Sequence, residues 1–450
     1  MNSSHLSWEF DNDKRPLRSL TGQWFFVDLP IIIYKTLFGE NSYSYSTHVI
    51  GPVRFFLALT TLLIDFMLMK MFNFNTVLIY SSMAFGNLLF TTRSLSNSME
   101  NFLFISFLYL TDFNKSKLEY LEGSLLSVSL HSIGISLVSV LGLFIRPTFV
   151  IFAMYPVILF LNKLIVSNIN VQRKYAHLSH LLLFASTFFL AIIKEDTRVF
   201  NEIIWKHTSE TSLIVTPLNF YHYNSNQTAI AKDHGSHCLL TTIFHVSFHI
   251  INPLVTFIII RSTFNHQNSR IILSCLIPII IFSTISHQEA RFIMPVLSLI
   301  ASLLSTAHSE SSQSVRNVIS VLWTVQNLVL FIFYGYLHQA GLVKFLISQA
   351  FENNKTLYIF QNTYMPPRGF LLNRTVIDLA GCQDCFLKHL DSIKSENLVK
   401  YVLPCILSPN VALKFTNFTE YRPFLNTEIF DKFSRNNSKD FLSLCIYQKF

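Results

Sequence analysis

The chain has 450 residues and a formal net charge of +8, yet only 13% of its residues are charged, 51% are hydrophobic and 44 are phenylalanine. A soluble enzyme does not carry this composition, and the mean hydropathy is positive. Nor does the surplus of basic residues mark a nucleic-acid binder: they collect at the ends of apolar runs, where membrane topology accounts for them.

The first 49 residues are polar and begin "MNSSHLSWEFDNDKRPLRS", with no cleavable signal. Windows of about 19 residues then give apolar stretches near 50–72, 76–92, 100–111, 122–145, 148–168, 178–194, 239–260, 271–286, 291–307 and 317–338, about ten membrane crossings. Placing the N-terminal segment outside the cytosol leaves Lys70, Lys115, Lys117, Arg173, Lys174, Arg261, Arg270 and Arg316 in short cytosolic loops, against Arg93, Arg146 and Arg291 on the other side. The positive-inside rule favours that orientation, which sets 1–49, 195–238 and 339–450 on one non-cytosolic face. Asn226, Asn354, Asn373, Asn417 and Asn436 each open an N-x-Ser/Thr triplet there, while Asn114 falls on the opposite side.

Three parts are therefore expected: a polar segment 1–49, a transmembrane bundle 50–338 carrying the loop 195–238, and a C-terminal domain 339–450. The loop is long enough to build structure over the membrane surface. In the tail, "GLVKFLISQAF" has helical spacing while "TLYIF" and "SLCIYQKF" look like strands, so a small α+β domain is predicted. No internal repeat is visible. Cys382 and Cys385 form a lone C-x-x-C, too few ligands for zinc; plain thiols or a local disulfide in an oxidising compartment are the expectation.

Charge inside such an oily chain is concentrated in a few turns. "TRSLSNSMEN" offers Arg93, Asn97 and Glu100; "FIRPTF" offers Arg146; "KEDTRVF" offers Glu195, Asp196 and Arg198; "HGSH" contains His234; "SHQEARFIMPV" carries His287, Gln288, Glu289 and Arg291; "YLHQAG" carries His338 and Gln339. Taken singly, each is a solvated helix end. Their shared side argues for a polar cavity at the membrane surface, where an arginine can meet the phosphate of a lipid head group. The alternative for Glu289 and Arg291 is an interfacial salt bridge that only anchors a helix.

"SHQEARFIMPV" resembles the signature of the membrane mannosyltransferases of glycosyltransferase family 22, which share the GT-C architecture and use dolichol-phosphate mannose. With "TRSLSNSME", "RPTF", "VTPLNFYHYN", "HGSH", "YGYLHQAGLV" and "TYMPPR" in order, the resemblance runs from Trp8 to Met365 and points to the branch acting on glycosylphosphatidylinositol (GPI) precursors. It implies a GT-C-like polytopic bundle in the endoplasmic reticulum membrane. The implied reaction is a metal-independent, cofactor-free α1,2-transfer of mannose to the third mannose of a GPI precursor. Candidate donor-phosphate or substrate contacts are then His287, Gln288, Glu289, Arg291, Arg93, Glu100, Arg146, Asp196, His234 and His338. Glu9, Glu100, Asp196 and Glu289 are carboxylates within matched motifs, but none is assigned as catalytic base, because the family's acidic first-loop motif does not occur here. The expectation is a chain whose start is cut off; an inactive homologue is the alternative. Other readings are a family 22 enzyme of the dolichol-linked oligosaccharide pathway and a polytopic lipid transporter, which should show two related halves.

Overall fold

The computed structural model describes residues 15–38, 45–72, 75–91, 96–115, 118–204, 213–225, 269–285, 290–338, 340–349, 356–361, 363, 375–379, 399–407, 417–425 and 442–449. They fall into two compact units, one built mainly from Trp8–Glu40 and Gly51–Leu328, the other mainly from Val329–Phe450.

The first unit is helical. α1 (Leu20–Gln23) passes through a π-helical turn (Trp24–Asp28) into α2 (Leu29–Phe38), and α3 spans Tyr45–Phe72. Then come α4 (Asn75–Ser82), α5 (Phe85–Leu89), α6 (Ser96–Leu110), α7 (Leu125–Ile145), α8 (Phe149–Val166), α9 (Val171–Arg198), α10 (Thr216–Ser225), α11 (Ser269–Ser283), α12 (Met294–Glu310) and α13 (Gln313–Ile332). Among the described residues, six segments are long and apolar enough to cross a membrane: Gly51–Phe72, Leu125–Ile145, Phe149–Val166, Val171–Glu202, Arg291–Glu310 and Gln313–Leu337. Leu62, Leu130, Ile158, Leu182, Leu190 and Val321 stand exposed on them. Such a surface suits hydrocarbon rather than water, and the chain is a multi-pass membrane protein.

Several expected crossings take another form. The run 76–92 is two helices, because Ala84 is extended (φ −63°, ψ 121°). The break survives in an apolar bundle because side chains rebind the backbone it frees. Asn327 Oδ1 accepts from the Phe85 N–H at 2.8 Å, Trp323 Nε1 donates to the Tyr80 carbonyl at 3.2 Å, and Asn87 Nδ2 donates to the Ser81 carbonyl at 3.0 Å. The run 100–111 belongs to α6, only 15 residues long and buried along most of its length. It packs against α7, α8 and α12 as an interior helix. The helix at 271–286 is likewise short, Ser269–Ser283, and 239–260 lies outside the described residues. Conversely, the polar segment 1–49 contains the apolar stretch Leu20–Phe38; Asp28, Pro30 and Lys35 lower its average hydropathy and hide it.

The two ends of this bundle differ chemically. At one end basic side chains cap loop carbonyls: Lys163 Nζ donates to Asp112 O (2.6 Å) and Phe113 O (3.1 Å), Arg173 to Leu121 O (3.2 Å) and Glu122 O (3.1 Å), and Arg270 to Lys115 O (3.2 Å). That end also pairs Lys115 with Asp112 at 3.2 Å, whereas the other end, where α6 begins and α7 and α9 finish, buries its carboxylates Glu100 and Asp196 at 0% and 1% exposure.

Among the described residues of the second unit, α14 (Ala340–Gln349) precedes five strands, β1 (Leu357–Phe360), β2 (Thr375–Asp378), β3 (Val399–Pro404), β4 (Asn417–Tyr421) and β5 (Leu444–Lys449). The sheet order is β2-β1-β3-β5-β4, with β1 parallel to β2 and β3, and β5 antiparallel to β3 and β4. Strand alternation splits its core. Tyr358, Phe360, Val402 and Ile446 pack with Leu342 and Phe345 of α14, while Ile359, Tyr401, Leu403 and Tyr447 fill the opposite face. A disulfide joins Cys405 to Cys445 across 40 residues; Cys382 and Cys385 lie outside the described residues.

Closing a loop of that length is worth about 4 kcal/mol of chain entropy. Cys405→Ser should therefore make the second unit markedly more susceptible to limited proteolysis in the detergent-solubilised protein. Non-reducing peptide mapping of the parent chain should recover one species joining the peptides around Cys405 and Cys445, and separate peptides there would refute the assignment.

Candidate functional site

At the mixed-charge end the chain turns from α7 to α8 at Arg146-Pro147. The proline disfavours helix at the residue before it, and Arg146 is extended (φ −147°, ψ 111°). Its side chain meets the first turn of α6. Arg146 Nε lies 3.0 Å from Glu100 Oε2, with the two side chains only 5% and 0% exposed. Thr148 Oγ1 donates to Glu100 Oε1 at 2.6 Å and accepts from Arg146 Nε at 3.2 Å. Arg146 Nη1 also donates to Ser96 Oγ at 3.0 Å and Asn97 Oδ1 at 3.1 Å, and its guanidinium carbon sits 5.4 Å from the Phe292 ring centre. A charged pair sealed from water is tolerable only with this degree of satisfaction. Glu100 and Arg146 are consequently a frame, their bonding capacity largely taken up by protein.

A second polar construction fastens the chain before α1. Residues Arg15–Leu20 run as a strap with Pro16 and Leu17 buried. Asn219 Nδ2, from the first turns of α10, donates to Pro16 O at 3.1 Å. Asp196, near the end of α9, accepts at Oδ1 from Ser19 Oγ (3.0 Å) and from the Leu20 N–H (3.3 Å). Ser19 in turn caps α1 by accepting from the Thr21 N–H at 3.1 Å. Asp196 is 1% exposed, and its Oδ2 has no hydrogen-bond partner among the described residues. Arg18, between these anchors, places Nη1 3.5 Å from the Ile145 carbonyl and its guanidinium 5.4 Å from the Phe220 ring centre.

The sequence-derived candidates thus separate. Glu100 and Arg146 are brought together directly. Asp196 joins the same end through the strap, since Ser19 and Arg18 are neighbours. Arg291 is exposed on the 3-10 turn Ala290–Ile293, one residue before the Phe292 that covers Arg146. Glu195 and Arg198 form an exposed pair at 2.5 Å, a solvated helix end worth little. His338 belongs to the second unit, its ring 5.4 Å from that of Tyr334. Arg93, His234, His287, Gln288, Glu289 and Gln339 lie outside the described residues. Sequence reasoning missed Arg18, Ser19, Thr148 and Asn219. The available signals were "RPLRS" directly before an apolar run and the hydroxyl two residues after Arg146.

Such an end can do two things chemically. The buried frame holds three segments in fixed relation, and the exposed Arg291 lies beside it, a residue type whose planar fork matches a phosphate or carboxylate.

Glu100→Gln leaves a buried guanidinium without its counter-charge, which is destabilising by about 3–5 kcal/mol. The variant should unfold at a clearly lower temperature in detergent than Glu195→Gln, which removes only a surface pair. A Glu100→Leu/Arg146→Met double variant should recover much of the loss. Equal midpoints for Glu100→Gln and Glu195→Gln would contradict the role of the pair as a frame.

Comparison with known proteins places this geometry in context. The crystal structure of ArnT from Cupriavidus metallidurans in the apo state shares the fold, with a TM-score of 0.51 over 94% of this chain and 86% of that one at 9% identity. GPI mannosyltransferase 4 of Schizosaccharomyces pombe is 30% identical over 263 residues, 56% of this chain and 44% of that protein. GPI mannosyltransferase 4 of Candida albicans is 25% identical over 415 residues, 90% of this chain and 77% of that protein. The match to the fission yeast protein therefore spans less than half of that relative's length. The model of the Alg9-like mannosyltransferase family matches residues 1–373, across α1 to α14 and every element of the polar end, and the chain belongs to that family.

Proposed function

We propose that the chain is an α1,2-mannosyltransferase of the endoplasmic reticulum membrane that moves mannose from dolichol-phosphate mannose to the third mannose of a GPI precursor. The observation that carries this reading is the charged, internally braced end of a bundle whose flanks are apolar. It is where a lipid-bound phosphate meets the bilayer surface. Family membership supports the transfer, and relatives named GPI mannosyltransferase 4 support the GPI acceptor over the dolichol-linked oligosaccharide branch.

In this reading the mixed-charge end faces the lumen and the lysine- and arginine-capped end faces the cytosol, as the positive-inside rule requires. About ten crossings result: six long helices, the shorter segments at 76–92, 100–111 and 271–286, and the stretch 239–260. The second unit is then lumenal, an oxidising setting that suits the Cys405–Cys445 bridge.

Transfer to a sugar hydroxyl requires a carboxylate to take the acceptor proton and positive charge to stabilise the departing dolichyl phosphate. No residue is assigned to the first task. For the second, Arg291 stands exposed beside the frame, and a preorganised cation of this kind is worth about 2–4 kcal/mol. Glu289, two residues earlier, is proposed to orient it. The reaction uses no metal and no cofactor beyond the lipid-linked donor.

Cells depleted of the gene product should accumulate GPI lipids bearing three mannoses, seen by radiolabelling and resolved by size with α1,2-mannosidase treatment. Shortened dolichol-linked oligosaccharides with normal GPI lipids would move the activity to the sister pathway, and no change in either would leave a transporter or an inactive homologue. Restoring the cells with Arg291→Ala should leave the three-mannose species in place although the protein inserts in the membrane. Full rescue would remove Arg291 from the phosphate site.

A further inference from the structure

Beside the helix break at Ala84 lies a carboxylate that neither the polar end nor the transfer chemistry uses. Asp65 belongs to α3, within the apolar span Gly51–Phe72, and is 7% exposed. Its Oδ1 accepts from the hydroxyl of Ser81, in the last turn of α4. An ionised carboxylate at this depth needs a compensating charge, and one neutral hydroxyl does not supply it.

The surroundings of Asp65 are rich in acceptors. Asn87 Nδ2 donates to the Ser81 carbonyl and to Ser81 Oγ, both at 3.0 Å, so Asn87 and Asp65 share Ser81. A carbonyl can only accept, which fixes the amide with its nitrogen towards Ser81. Its Oδ1, on a residue 2% exposed, has no hydrogen-bond partner among the described residues. α4 ends at Ser82, which sets the negative pole of its dipole beside the carboxylate. One turn before Asp65, Thr61 Oγ1 lies 3.0 Å from Thr91 Oγ1 and adds hydroxyl oxygens on the same face. The positive groups nearby are engaged elsewhere. Lys70 sits over Phe66, 5.6 Å from the ring centre; Arg316 donates to the Ser311 and Ser309 carbonyls at 2.8 and 3.2 Å; His308 packs on the Tyr80 ring; and Arg54 is three turns away on α3. α4 and α5 contain no charged residue.

We infer that Asp65, Asn87 and the C-terminal turn of α4 form a binding site for a monovalent cation inside the bundle. One carboxylate among neutral amide and hydroxyl oxygens balances a single positive charge and suits a hard ion such as sodium or potassium, whereas a divalent ion would leave a surplus. A helix that stops within an apolar bundle presents an end of this kind to an ion. Asp65 is seven residues from the end of α3 at Phe72, about 10 Å along the axis, which leaves a short path to the membrane surface. The ion takes no part in the transfer proposed above. It ties α3 to the break between α4 and α5, and the inference stands independently of that reaction.

The test follows thermal unfolding of the full chain in detergent in sodium, potassium and choline chloride at equal ionic strength. The parent midpoint should be several degrees higher in sodium or potassium than in choline, and the gain should saturate as the metal ion replaces choline. Asp65→Asn should remove that difference, while Glu195→Gln, which alters only an exposed pair, should keep it. Should Asp65→Asn fail to accumulate, Asp65→Glu keeps the charge but displaces its oxygens by one methylene, and the half-saturating ion concentration should rise at least tenfold. Equal parent midpoints in the three salts would overturn the inference, as would an ion-dependent gain that survives in Asp65→Asn. So would an Asp65→Asn chain as stable as the parent in every salt, the result for a carboxyl group carried as a neutral acid.

Discussion

The polar end of the bundle depends on one carboxylate and one guanidinium 3.0 Å apart and sealed from water. Either charge alone would be intolerable in these surroundings, so α6 can begin only where the α7–α8 corner brings Arg146 to it. Pro147 makes that corner abrupt, Thr148 supplies the hydroxyl that donates to Glu100 Oε1, and Ser96 and Asn97 accept from Arg146 Nη1. Through Phe292 the pair also fixes the turn that carries Arg291. Three separate stretches of sequence are thereby set in one register by a single ion pair, its hydrogen bonds and one ring contact.

The same economy governs the interior. A helix that stops at Ser82 and restarts at Phe85 frees backbone groups in a region without water. Asn327 and Trp323 on α13 and Asn87 on α5 rebind them, so the break is a built feature and α13 is tied to α4 and α5 by it. At the opposite end lysine and arginine tips cap carbonyls of the turns around 112 and 121. These polar side chains of the bundle each close a backbone gap or join a compensated pair.

How far the sequence announces this varies with the range of the interaction. Runs such as "LLSVSLHSIGISLVSVLGLFI" are legible as spans because length and apolarity are local properties. So were the turns that carry Glu100, Arg146, Asp196 and Arg291, since charge between apolar runs stands out. Their pairing was not, because Glu100 finds its partner 46 positions along the chain through helix packing. The break at Ala84 carries no proline and has no local signal. Leu20–Phe38 is masked by Asp28, Pro30 and Lys35, and the residues just before it looked like an ordinary polar leader. Cys405 and Cys445 meet only because β3 and β5 are antiparallel neighbours, with Leu403 opposite Cys445.

The distribution of exposure among the arginines gives these parts a common logic. A site that must grip a phosphate and then release it needs cations that do not move when the ligand leaves, since reorganisation at the moment of reaction costs rate. A fully buried arginine cannot serve directly, because its donors are already committed to the protein. An exposed one serves where the backbone that carries it is fixed. In the proposed reading the chain separates the two demands: Arg146 sits in the interior and fixes geometry, while Arg291 rides on the turn whose Phe292 packs against the Arg146 guanidinium.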